Sequence, residues 1–253
     1  MALTWSGRRQ LIYYGVGIVV LIMLVWVTWA LFFNVPPTCF DGKQDGNEQG
    51  IDCGGSCALL CADTAHDPVA LWARAFQTGP TSYTAAAYIQ NNNVGAGAKN
   101  VAYSFQLFDA NNNLVIERDG VVDLPPINTI PIIEPNIMVG NRTVAHTQFA
   151  FSSTPPAVWN KVPAGDIPAL HMTQQNLSTD ASRLDALLVN DTLQDAGQVT
   201  VEAVLFDAEG VARAASKSLI ATVPAKSSVP VVFTWQGGVP NIVRAEITIV
   251  PSF

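Results

Sequence analysis

The chain has 253 residues, which is room for one or two domains. Only 13% of them are charged, and 13 Lys+Arg face 20 Asp+Glu for a net −7. That acidic balance speaks against a nucleic-acid binder, which normally carries a basic excess. Three scattered histidines, His66, His146 and His171, leave little material for a histidine-based metal or acid–base centre.

The first element is the run 11–33, LIYYGVGIVVLIMLVWVTWALFF, with no Asp, Glu, Lys or Arg in it. As a helix rising about 1.5 Å per residue it is long enough to cross a ~30 Å hydrocarbon core. Tyr13 and Tyr14 near one end and Trp26 and Trp29 near the other suit the two interfacial belts. The run therefore predicts a transmembrane helix whose partner is the lipid bilayer. Arg8 and Arg9 precede it and the next basic residue is Lys43, so the positive-inside rule leaves 1–10 as a cytoplasmic tail and puts the rest outside. A cleaved signal peptide is the rival. The apolar run exceeds a typical h-region and no A-x-A site follows it, which favours an uncleaved signal anchor on the cell membrane. The flank Ser6-Gly7-Arg8-Arg9 only loosely resembles a twin-arginine export signal.

All four cysteines fall in 34–65, a short stalk: Cys39, Cys53, Cys57 and Cys61. An even, clustered set outside the cell predicts two disulfides, with three connectivities open. The spacing C-x13-C-x3-C-x3-C lacks the paired C-x2-C of a zinc ribbon. Between the first two cysteines stand Asp41, Asp45, Asn47, Glu48 and Asp52 on a glycine-rich loop. Hard oxygen ligands of this kind suit calcium, although Lys43 breaks the EF-hand order. Two readings stay open: a solvated acidic loop held by disulfides, and a calcium site. The string TCFDGKQDGNEQGIDCGGSCALLC is similar to a Cys-rich DCGG-type segment that recurs in secreted and surface proteins of bacteria. The resemblance covers about 25 residues and implies export, with no activity attached.

The remainder contains an internal duplication. Asn92-Asn93, Val101 and Leu107-Phe108-Asp109-Ala110 recur as Asn190-Asp191, Val199 and Leu205-Phe206-Asp207-Ala208, all at an offset of 98. Flanking matches run at 98 or 99. The period is the size of a small domain, so two tandem domains are expected, 66–164 and 165–253. Tyr103/Phe105/Leu107 and Val199/Val201/Ala203/Leu205 alternate with period 2, the pattern of half-buried strands. Asp109-Ala-Asn-Asn-Asn113 and Asp207-Ala-Glu-Gly210 are turn sequences. Strands are expected over 69–76, 83–90, 143–151 and 242–250. Six or seven short strands per unit and no helix beyond the span predict an all-β ectodomain: two tandem immunoglobulin- or fibronectin-III-like β-sandwiches.

Phe105-Gln-Leu107-Phe108-Asp109 resembles the signature of the FxLYD domain, a β-sandwich module of bacterial surface and exported proteins. Phe108 replaces its Tyr, and the second copy, at Leu205-Phe206-Asp207, lacks the leading Phe. The resemblance implies an extracytoplasmic interaction module with no catalytic residues to carry over.

The sequence contains no G-x-S-x-G, H-E-x-x-H or P-loop. His146 and Arg244 occupy the same place in the two copies, which suits a surface strand position. Sequons stand at Asn141, Asn176 and Asn190, and Trp159 and Trp235 read as packing residues. The function expected is a non-catalytic, single-pass surface protein presenting two sandwiches to an unknown extracytoplasmic protein or envelope polymer. Two alternatives follow from the cysteine segment: a calcium- or ligand-binding module, and a thiol–disulfide protein.

Overall fold

The computed structural model describes residues 5–32, 38–152, 154 and 156–253. Residues 1–4 of the tail, Phe33 at the end of the expected span and 34–37 of the stalk lie outside the described residues. The chain divides into two compact units, 1–57 and 58–253.

In the first unit, α1 (Trp5–Phe32) begins earlier than the expected span. Its stretch Arg9–Trp29 is long and apolar enough to cross a membrane, and none of it is buried among the described residues. Leu11, Val19, Met23 and Trp26 are all more than half exposed. An exposed stretch of this length and composition suits a membrane anchor and equally a signal sequence.

The second unit is all β, apart from one turn of 3-10 helix at Ala164–Asp166. Strands β1 (Val69–Gln77), β2 (Ser82–Gln90) and β5 (Thr129–Met138) form one antiparallel sheet in the order β1-β2-β5. Strands β3 (Ala96–Phe108), β4 (Leu114–Leu124) and β6 (His146–Phe151) form another in the order β4-β3-β6. The short β7 (Trp159–Lys161) joins the start of β3, and the Leu60 N–H bonds the Trp159 carbonyl at 2.9 Å. These two sheets enclose a core of Phe105, Leu107, Ile89, Leu124 and Trp159.

Residues 170–251 repeat the arrangement. Strands β8 (Leu170–Leu177), β9 (Arg183–Asn190) and β12 (Ser227–Thr234) pair in the order β12-β9-β8, and β10 (Val199–Phe206), β11 (Ala212–Ile220) and β13 (Arg244–Pro251) in the order β11-β10-β13. Their core holds Leu184, Leu188, Leu205 and Phe233. In each sandwich the first, second and fifth strands share one sheet and the fourth, third and sixth the other. The fourth strand sits beside the third, as in a fibronectin-III sandwich that lacks its last strand, and not beside the fifth as in the ABED/CFG order of a constant-type immunoglobulin domain. The closing strands start later than expected, at His146 and Arg244, and the residue before each still donates its N–H to the neighbouring strand, Ala145 to the Phe108 carbonyl at 2.8 Å and Val243 to that of Phe206 at 3.0 Å.

The sandwiches also pack on each other. Ala86 and Ile133 of the β1-β2-β5 sheet meet Val204, Phe206, Ala212 and Ala215 of the β11-β10-β13 sheet, with Trp72, Phe76 and Tyr88 around them. β2 is therefore buried on both faces. Ala85 and Ala87 face the first core and Ala86 the junction. Three consecutive alanines let sheets approach from both sides. The result is a stack of four sheets in which the middle two are covered, a placement that the alternation of the sequence did not foresee.

Candidate functional site

The cysteine segment has defined geometry. Cys39 bonds to Cys57, with a Cα–Cα distance of 5.6 Å. No cysteine is free, so Cys53 and Cys61 are oxidised as well. Of the five proposed calcium ligands, most of the carboxylates serve the loop itself. Asp52 accepts the N–H groups of Asp41 at 3.0 Å and Gly42 at 2.9 Å. Asp41 accepts the Lys43 N–H, and Glu48 accepts the Asp52 N–H. Asp45 keeps one buried carboxylate oxygen without a partner, while Asn47 is exposed and its carbonyl packs against Gly55. A Cβ at Gly55 would overlap that carbonyl, and φ there is +54°, so glycine is required. Among the described residues the one trio of close potential metal ligands is Cys39, Glu48 and Cys57, and both of its sulfurs are in a disulfide. A disulfide sulfur is no thiolate and ligates poorly.

The two Phe-Asp motifs sit at the same place in each sandwich, at the end of the third strand. Phe105, Leu107 and Leu205 are fully buried. Asp109 accepts the N–H groups of Asn111 and Asn113 at 2.8 and 2.9 Å. The amide and side chain of Asn113 hold its carboxyl below the usual aspartate range. Asp207 accepts the Val211 N–H at 2.7 Å and pairs with Arg213 at 2.5 Å. Burial pushes its carboxyl up, and the Val211 amide and the Arg213 guanidinium outweigh that and leave it lowered. The motif aspartate thus closes a hairpin. Its neighbour differs between copies. Phe108 stacks on its cross-strand partner His146, ring centroids 5.0 Å apart. Phe206 is buried in the junction beneath Arg244, 4.5 Å from its guanidinium, with Tyr88 edge-on. His146 and Arg244 therefore do the same job, each capping a motif phenylalanine.

A buried asparagine closes the second strand of each sandwich. Asn91 donates to the carbonyls of Ala96 and Pro125, and Asn190 to those of Gln194 and Val223. Structurally Asn91, not Asn92, matches Asn190, which corrects the sequence register by one residue. Asn190 is fully buried, so its sequon is closed, whereas Asn141 and Asn176 are exposed. Trp159 and Trp235 lie in the two cores.

The junction holds a polar cluster that the sequence reading passed over. Glu202 is 5% exposed, accepts the Ile133 N–H across the junction, and has Lys217 as its cross-strand neighbour. One of its carboxylate oxygens has no partner among the described residues. Burial pushes its pKa up to about 8, against the pull of the Lys217 charge. Beside it, Glu134 accepts the Tyr103 hydroxyl at 2.5 Å and lies 4.0 Å from Lys217. Burial and Glu134 raise the Tyr103 phenol. The Tyr88 hydroxyl donates to Glu246 at 2.7 Å across the same junction. The signal for this face was present in the sequence: Val204 and Phe206 are apolar on the side of β10 opposite Val201 and Leu205. A strand apolar on both sides is buried on both sides.

No protein-family model matches the chain, and no curated protein matches it. Among solved structures it is similar to the C-terminal globular domain of an oligosaccharyltransferase from Pyrococcus abyssi, at 11% identity over 88% of this chain and 55% of that one, TM-score 0.23. It is also similar to the calcium-binding domain CBD12 of CALX1.1, at 12% identity over 60% of this chain and 68% of that one, TM-score 0.18. This chain thus spans about half of the first. At such overlaps neither likeness carries an argument, and the sandwich assignment stands on the strand pairing.

Proposed function

We propose that this protein is a non-catalytic membrane-anchored module that holds two duplicated β-sandwiches outside the cell for interaction with another envelope component. The observation that carries the reading is the bare apolar helix joined to an otherwise all-β chain. Residues 34–253 carry 11 Lys+Arg against 20 Asp+Glu, a net −9, which disfavours attachment to anionic lipid or nucleic acid and suits a basic partner. The FxLYD resemblance belongs to this reading, as does oxidation of all four cysteines, which fits an exported stalk better than a redox centre. Calcium on the acidic loop is the second reading, favoured by the orphaned Asp45 oxygen.

Protease added to intact spheroplasts tests the topology. It should trim the chain to a small fragment holding 1–33. Protection of 66–253 rejects the proposal, and so does any substrate turnover that one point substitution abolishes with the fold intact.

A further inference from the structure

The two sandwiches leave a cleft of about 440 Å³ where β1, the start of β6 and β11 meet. Arg74 lies on the same face of β1 as Trp72 and Phe76, which border the junction. Its Nη1 donates to the Ala212 carbonyl at 3.3 Å, and its guanidinium lies 5.7 Å from the centre of the Trp72 ring. Arg213, next in the chain to Ala212, lines the same cleft, as does His146.

The charges do not balance. Arg74 and Arg213 bring two guanidinium groups, and Asp207 answers only the second. Arg74 makes no ion pair among the described residues. A guanidinium offers five N–H donors in a planar fork that fits a carboxylate, and among the described residues Arg74 makes one hydrogen bond. Thr147, in the same cleft, has a buried hydroxyl with no partner among the described residues. Phe76, Val144 and Val211 supply apolar wall. Apolar walls, a few convergent polar groups and a seat between two packed domains are the usual makings of a small-ligand site.

We propose that this cleft binds an organic carboxylate, its anionic head on Arg74 and its apolar body against Phe76, Val144 and Val211. The one uncompensated positive charge suits a monoanion better than a dianionic phosphate. The proposal gives the interaction module described above a ligand chemistry. It fails separately from the topology, because the cleft lies wholly within 73–213.

The test uses the full chain in neutral detergent micelles and phenylglyoxal, a reagent for accessible guanidinium groups. Adducts at Arg74 and, as internal control, at the exposed Arg183 are counted by mass spectrometry. Butyrate, butyramide and inorganic phosphate are compared at equal ionic strength. Butyrate should slow modification of Arg74 about fivefold or more at saturation, with phosphate protecting less and butyramide not at all, and Arg183 should not respond. Equal rates with butyrate and butyramide overturn the proposal. So does equal protection of Arg183, better protection by phosphate, or an Arg74 that never reacts and is therefore sealed in the junction. As a second readout, butyrate should raise the unfolding temperature of the wild type above its value in butyramide, and Arg74→Gln should remove that difference. A difference that survives the substitution also overturns the proposal.

Discussion

Glu202→Gln should stabilise the protein, and more so as the pH rises. In the fold the carboxyl is buried in the junction with one oxygen unpartnered, and its pKa stands at about 8 against an ordinary 4.5. Between those two values the folded state holds a proton that the unfolded state has lost. Stability therefore falls as pH rises through that window and levels off above it. Each unit is worth about 1.4 kcal/mol. The penalty relative to a neutral side chain is then under about 1 kcal/mol at pH 5, about 3 kcal/mol at pH 7 and about 5 kcal/mol at pH 9. Glutamine keeps the shape and the acceptor for the Ile133 N–H while removing the titration. Urea unfolding of the full chain in detergent, followed by tryptophan fluorescence at the three pH values, measures it. Wild type should lose stability across the series relative to Glu202→Gln, the gap opening by about 1.4 kcal/mol per unit up to pH 8. A gap that does not change with pH, or a substituted protein less stable at pH 9, refutes the reasoning. The second outcome would mean that the carboxylate is ionised in the fold and held by Lys217.

The two motif phenylalanines should respond unequally. Phe206→Ala opens the packed junction and should cost about 3–5 kcal/mol in the same unfolding assay, whereas Phe108→Ala, at a half-buried position under His146, should cost well under half of that. Replacing Cys39 and Cys57 together by Ser removes a cross-link spanning 18 residues, worth about 3 kcal/mol to its loop. Hydrogen exchange should then speed up in 38–57 and stay unchanged in β2, β3, β9 and β10. Gly55→Ala drives a methyl group into the Asn47 carbonyl at a positive φ. Non-reducing peptide mapping should show a loss of the Cys39–Cys57 pair in a substantial fraction of molecules.

Several features of this protein follow from local sequence alone. The charge-free run that starts at Leu11 is helical as far as Phe32, an element its apolar composition and length announce without any tertiary contact. The period-2 alternation in Tyr103/Phe105/Leu107 and Val199/Val201/Leu205 predicted strands with one face in a core, and the turns at Asp109 and Asp207 follow from side chains that bond their own backbone. What sequence alone left open is how the sandwiches meet. Alternation reports that a side is apolar, not what covers it. Val204 and Phe206 are apolar on the second side of β10, but only the packing shows Ala86 and Ile133 opposite them. The same holds for Glu202, which reads as a solvated strand residue until the neighbouring sheet removes its water. Arg74 and Arg213 are far apart in the chain and share one cleft only because the second sandwich brings β11 beside β1. Chemistry carried by single residues was legible in order along the chain. Chemistry made by two surfaces meeting depends on long-range packing, and only the tertiary structure decided it.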